Sequence, residues 1–363
     1  MKAWRNSDLA ARLGIARPVV QGPFGGGLSS VELVVAVGEA GGLGSFGAHH
    51  LEGDGIRSVA ADIRRRSDRP FALNLWLPHA EEGESPVAAV QASDHDRHAR
   101  ELAPWYAQLG LEAPPPPPRY LPDFDAQVEA VLAARPAVFS FVFGVPAAGL
   151  LDRCRALGIL TLGTATTVAE ARALDDAGVD AIVASGFEAG GHRVSFLRRP
   201  EDCLTGGLAL LPQVVDAVRA PVVAAGGIAD GRGIVAALSL GASAVQIGTA
   251  FLACRQSNAS ELHRERLFDT AADDTVLTRA FTGRLARGIR NDLATAVPPG
   301  GHAPYPLQGW LTGALRAAAL REGRGDLVPL WCGQAAGLLR DRDGAALMAR
   351  LASEVDALLA RMA

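Results

Sequence analysis

The chain has 363 residues, a 49% hydrophobic share and a formal net charge of -4, which suits a large barrel with additions or two domains. It carries no long basic run, which excludes the electrostatic footprint of a nucleic-acid binder. Charges at positions 2, 5, 8, 12 and 17 break up the first twenty residues, and no later apolar run reaches spanning length, so a cytoplasmic protein with no membrane partner is expected.

Short apolar runs recur along the chain, each followed by a glycine or polar turn and then a helical stretch. They are PVVQG from Pro18, GLGSFG from Gly42, FALNLW from Phe71, VFSFVFG from Val138, ILTLGTA from Ile159, AIVASG from Ala181, PVVAAGG from Pro221 and AVQIGTAF from Ala244. Near-continuous apolar strands alternating with helices indicate a parallel sheet, and a count of eight favours closure into a (β/α)8 TIM barrel, an α/β fold. Ser29 with Glu32 and Thr167 with Glu170 fit a helix capping box, and Gly41 and Gly178 stand where helices would stop.

One connection breaks the rhythm. Between Trp76 and Val138 lies a long stretch containing APPPPPRY, and a proline run enters neither a helix interior nor a sheet. Residues 79–129 therefore read as an insertion at the third strand exit, on the face where barrels carry their active sites. Residues 1–255 would form the barrel and residues 256–363 a mainly helical C-terminal extension covering the substrate pocket. Such a tail packs on the barrel or on a partner subunit, which leaves a homodimer open. Cys154, Cys203, Cys254 and Cys332 lie far apart with no C-x-x-C pair, so no metal centre and no disulfide framework is expected.

The strongest chemical signal follows the last two strands. AAGGIADGRG ends a strand in Gly226 and Gly227 ahead of a helix near Asp230, and VQIGTAF puts Gly248 and Thr249 at the next exit. In barrels these loops often build a phosphate cradle from backbone N–H groups and a helix N-terminus, where glycine permits close approach. No G-x-G-x-x-G stands in a Rossmann context. GPFGGGLSS, with Pro23 and Phe24, offers instead a flat backbone for a planar ring. Asn74, inside an apolar strand, and Gln246 are amides that need partners at the barrel mouth. Together these features suit flavin mononucleotide, FMN. His192, behind Gly190 and Gly191 in SGFEAGGHRVSF, faces two readings: a satisfied structural histidine, or an imidazole that accepts a proton or attracts an anion.

Taken in order, PVVQGPFGGGLSSVELVVAVGEAGGLGSFG, FALNLW, FSFVFGVP, GTATTVAEA, SGFEAGGHR, AAGGIADGRG, VQIGTAF, LTRAFTGRLARGIRN and PYPLQ resemble the nitronate monooxygenases, formerly 2-nitropropane dioxygenases, most closely their class I branch. The resemblance implies an FMN-dependent oxidoreductase that oxidises alkyl nitronates, such as propionate 3-nitronate, with O2. It implies that His192 is catalytic. It assigns the flavin to Pro23, Phe24, Asn74, Ser185, Gly190, Gly191, Gly226, Gly227, Gln246, Gly248 and Thr249, and the substrate pocket to Phe24 and Tyr305. Four positions depart from the family pattern: Ser185 replaces a glutamine, Val194 a glycine, Phe24 a methionine and Val142 a histidine. An NAD(P)H:quinone reductase or a flavin-dependent enoyl-thioester reductase on the same barrel is the alternative, and a non-redox phosphate-ligand barrel a remoter one.

Overall fold

Each apolar run becomes a strand of one parallel sheet: β1 Val19–Gln21, β2 Gly44–Gly47, β3 Phe71–Trp76, β4 Val138–Val142, β5 Leu160–Ala165, β6 Ala181–Ser185, β7 Val222–Ala225 and β8 Ala244–Ile247. The computed structural model describes residues 3–5, 7–79, 92–296 and 301–362. Consecutive strands pair in parallel, and β8 returns to β1 with Val20 opposite Gln246. A bridge between Val20 and Leu43 joins β1 to β2, and the Gln21 N–H donates to the Leu43 carbonyl at 2.9 Å. The ring of strands is therefore closed, as a (β/α)8 TIM barrel requires.

Alternation along the strands divides the core in two. Outward residues, among them Phe46, Leu73, Leu75, Phe139, Phe141, Ile182 and Ile247, pack with Leu33, Val37, Ile56, Leu174, Val214 and Ile234 of the surrounding helices. Inward residues, including Val20, Ala72, Val138, Leu162, Val183, Val223 and Ala244, form a second cluster with Leu9, Ala10, Leu13 and Ile15, so the N-terminal helix Asp8–Leu13 plugs the bottom of the barrel. Higher along the same inward rows stand Asn74 beside Ser140, then Thr164, Ser185 and Gln246. This change from apolar to polar marks where the sealed core ends and the site begins.

The helix starts are modified by neighbouring demands. Ser30, not Ser29, caps Val31–Glu39 by accepting from the Leu33 N–H at 3.0 Å. Ser29 Oγ is engaged with the Phe24 and Gly47 N–H groups, each at 3.0 Å, which braces the loop after β1. Thr167 does cap Val168–Ala177, but Glu170 turns away to accept from Thr166 and from the N–H of Phe196 at 2.7 Å.

Of the inserted stretch, residues 80–91 lie outside the described residues. Helices Ala92–Glu101 and Ala103–Gln108 are followed by the proline run, while Phe124–Ala134 belongs to the barrel's outer ring and packs on Gly53–Arg66. The insertion rests on the helix Leu307–Arg321 through Leu102, Tyr106, Leu307, Leu311 and Leu315, with the Tyr106 hydroxyl donating to the Leu311 carbonyl at 2.6 Å. A polyproline run leaves its carbonyls free of internal bonds, and Trp310 Nε1 donates to that of Pro115 at 3.0 Å.

Beyond β8 the chain makes an excursion over the barrel mouth that contains β9 Thr275–Thr278 and β10 Ala286–Ile289 as well as Leu307–Arg321. It then returns as the helix Gly344–Met362, which packs between Gly231–Ser239 and Val31–Glu39. That is the place of the eighth helix in the ring. The periodic tail is thus split between a cover and the last stave of the barrel. All four thiols are free and buried, and no helix of the described residues is long and apolar enough to cross a membrane.

Candidate active site

A cavity of about 390 Å³ opens at the C-terminal ends of the strands. Its wall carries Pro23, Phe24, Asn74, Ser185, Gly190, Gly191, His192, Gly226, Gly227, Gln246, Gly248, Thr249 and Tyr305. Residues from opposite ends of the sequence meet there because every strand exit points to one mouth.

The glycines serve different purposes. Gly226 and Gly227 have φ of 99° and 70°, a region L side chains rarely adopt, so the chain after β7 turns sharply across the mouth. A Cβ on Gly248 would meet nothing within 4 Å, so a side chain there would project into the cavity. The N–H groups of Gly227, Ile228 and Gly248 donate to no acceptor among the described residues. Gly190 also lines the cavity, and a Cβ on it would lie 2.5 Å from the Gly333 nitrogen, so its missing side chain admits the returning excursion. The helix after β7 supplies no free N-terminus, because Asp230 accepts from the N–H groups of Arg232 and Gly233 and Glu354 accepts from that of Gly231 at 2.7 Å. The donors left open at this mouth are therefore those of loop backbone. Asn74 Nδ2 donates to Ser140 Oγ at 3.0 Å, and neither Asn74 Oδ1 nor the Gln246 amide has a partner among the described residues. Loop N–H groups beside the Asn74 Oδ1 and the Gln246 amide fit a ligand with a phosphate and a polar heterocycle.

His192 occupies a two-residue strand, Gly191–His192, paired antiparallel with β10 so that His192 faces Ala286. Its Nε2 lies 2.9 Å from Thr282 Oγ1. Trp76 approaches edge-on at 4.8 Å between ring centroids and Trp331 at 5.2 Å. Burial, then the nearby charges of Arg284 and Arg316, pull its pKa down to about 3. The ring is accordingly neutral at physiological pH, which removes the reading of His192 as a resident cation.

His49, Glu188 and Arg316 also line the cavity, and no sequence pattern pointed to Arg316. His49 stacks on Trp76 with centroids 3.9 Å apart and planes 7° from parallel, and its Nδ1 is buried with no hydrogen-bond partner. Burial, then His50, His192 and Arg284, hold His49 well below the ordinary histidine pKa. Arg284, 2% exposed, lies 4.0 Å from the ring centres of both Phe143 and Tyr305, a cation–π seat for the tyrosine. Arg316 reaches the wall from Leu307–Arg321 and bonds the Gly309 carbonyl of its own helix at 3.2 Å. Glu188 accepts from the Gly207 N–H at 2.9 Å, a helix-start role, and does not touch His192. Arg193 is 1% exposed and donates to the Gly186 carbonyl at 2.7 Å and to that of Cys203 at 3.1 Å, which fixes the loop after β6. Arg284 and Arg287 are both buried.

A family model described as nitronate monooxygenase matches residues 6–352. A probable nitronate monooxygenase of Staphylococcus aureus (strain Newman) is 35% identical over 98% of this chain and 99% of its own length. Among solved structures, a nitroalkane oxidase from Streptomyces ansochromogenes superposes with a TM-score of 0.89 at 38% identity, covering 98% of this chain and 100% of that one. FabK from Thermotoga maritima superposes at 0.75 with 26% identity and 98% of each chain covered.

Proposed function

The chain belongs to the nitronate monooxygenase family, and on that premise we propose that it is a cytoplasmic oxidoreductase that uses FMN and O2 to oxidise alkyl nitronates, such as propionate 3-nitronate, with His192 as its proton-accepting group. The carrying observation is a neutral imidazole on the wall of a cavity that also offers loop N–H donors, Asn74 Oδ1 and the Gln246 amide. FMN, when bound, supplies the electron acceptance from the nitronate and the delivery to O2 that no side chain here provides.

The chain's own residues divide the remaining work. Gly227, Ile228 and Gly248 hold the phosphate through backbone N–H groups, and Asn74 and Gln246 address the polar edge of the ring system. The backbone of Pro23, Phe24 and Gly191 allows that ring to lie close. His192 takes the α-proton of a neutral nitroalkane, or orients the nitronate by hydrogen bonding. The positive charges of Arg284 and Arg316 favour an anion beside it. Phe24, Trp76 and Tyr305 exclude water and so strengthen these interactions.

The test is a visible spectrum of the pure protein followed by substrate addition without oxygen. Flavin bands that bleach with a nitronate support the reading. Bands that bleach with NADH and not with nitronate transfer the chain to the nicotinamide-dependent reductases, and a colourless protein that binds no flavin removes the redox reading altogether.

A further inference from the structure

We propose that Arg316 is a specificity-determining residue whose guanidinium binds a second negative group, a carboxylate carried on the tail of the nitronate, while His192 attends to the nitronate end. The inference rests on the reading of the cavity given above and names the class of substrate that it takes. Among the described residues the charged side chains on the cavity wall are Glu188 and Arg316. Both oxygens of Glu188 accept from the Gly207 N–H, at 3.0 and 2.9 Å, so that carboxylate is spent at a helix start. Arg284 lies between the rings of Phe143 and Tyr305 and donates to the His79 carbonyl at 2.6 Å. Arg316 is therefore the cation that the wall presents.

A guanidinium has five N–H donors in a planar fork and keeps its charge in a protein. Arg316 spends two of them on its own helix, Nε donating to the Thr312 carbonyl at 3.4 Å and Nη2 to the Gly309 carbonyl at 3.2 Å. Carbonyls satisfy N–H groups but leave the charge unmatched. Nη1 makes no hydrogen bond among the described residues and is not among the buried unpartnered atoms, so its two N–H groups are open. Burial alone lowers the Arg316 pKa, and no acid acts against it. A cation withdrawn from water with no counter-ion is costly. A ligand carboxylate relieves that cost and matches the fork. Phosphate would match it too, but the N–H groups of Gly227, Ile228 and Gly248 already answer to the phosphate.

The fold sets the two ends of such a substrate against different elements. His192 belongs to the short strand after β6, whereas Arg316 comes from the cover helix Leu307–Arg321. On that helix Leu307, Leu311 and Leu315 are buried against the insertion, and Gly309, Thr312 and Arg316 form the neighbouring stripe, each three or four residues from the next. Helical side chains lean toward the N-terminus. Gly309, with no side chain of its own, leaves room for the guanidinium to lie back along the helix, and both residues line the cavity. Arg316 is close enough to His192 that its charge, after burial and Arg284, helps to lower the imidazole pKa. An uncharged tail would leave this cation unanswered, so the site selects a nitronate with a carboxylate.

The experiment compares propionate 3-nitronate with propyl-1-nitronate, which lacks the tail carboxylate. In the parent, kcat/KM should be at least about tenfold higher for the carboxylate, the scale of one hydrogen bond to a charged group. Arg316→Gln should lower that ratio at least about tenfold, mainly through KM, with the flavin retained. A parent without the preference overturns the proposal, and so does an Arg316→Gln ratio equal to the parent's. Loss of flavin from a folded Arg316→Gln also overturns it, because the guanidinium would then serve the cofactor. Calorimetry gives a readout that needs no turnover: the Kd of 3-nitropropionate should rise at least about tenfold in Arg316→Gln and that of 1-nitropropane less than about threefold. Equal changes for the two ligands refute the subsite. A parent that oxidises no nitronate overturns the proposed function instead, and the two dissociation constants still decide the role of Arg316.

Discussion

Replacing His192 by asparagine keeps a polar side chain near Thr282 but deletes the proton-accepting ring, and turnover is expected to fall by about 10²-fold or more while the yellow cofactor is retained. Steady-state kinetics beside a flavin-to-protein absorbance ratio check both halves. The double change Gly227→Val and Gly248→Val acts on the other partner. One substitution forces a β-branched residue to φ of 70° and the other projects a side chain into the cavity, so the purified variant should come off the column colourless while still folded by circular dichroism. A fully loaded variant would refute the cradle. At this scale the sequence conveyed His192, Asn74 and the glycines, because each interrupts an apolar strand or ends one. It did not convey His49. Alternation sets two adjacent histidines on opposite faces, yet it does not say that one of them lines the cavity while the other is exposed. Gly190 was legible as a necessary glycine, but the packing of Cys332 and Gly333 against it was not, because they stand far along the chain.

The cover over the mouth is a smaller unit than the barrel, held by its own apolar cluster. Leu311 is fully buried in that cluster, and Leu311→Ala should weaken the docking of the insertion by about 2–5 kcal/mol, the usual cost of such a truncation. Limited proteolysis should then cut residues 92–121 faster than in the parent, and KM should rise with flavin content unchanged. Equal cleavage rates would mean that the cover does not depend on this cluster. The strands were readable because their period and glycine exits are local. Arg316, Thr282 and Trp331 were not, because they reach the cavity only through docking of an excursion far along the chain. The final helix was readable as a helix, but its place in the ring depends on a contact with Gly231, where a Cβ would come within 2.5 Å of Glu354.

For the molecule as a whole, buried neutral histidines tie stability to pH. His192 and His263 are lowered from 6.5 to about 3 and about 4, chiefly by burial. Their folded pKa lies below the unfolded value, so the stability they allow is complete above about pH 6.5. It is lost as pH falls toward the folded values, because the unfolded chain takes up protons that the folded one refuses. Each such group adds a slope of about 1.4 kcal/mol per pH unit in that window. Urea unfolding at pH 7 and pH 4.5 should therefore differ steeply, and His263→Gln, which can still donate to the Trp331 carbonyl, should flatten the slope by about one proton. An unchanged slope would place His263 outside the linkage. Three of the chain's five tryptophans, Trp76, Trp310 and Trp331, stand on the cavity wall. Any light-absorbing heterocycle that settles among them drains most of the protein's intrinsic emission, so the chain carries its own optical gauge of occupancy, readable in a cuvette with no added dye.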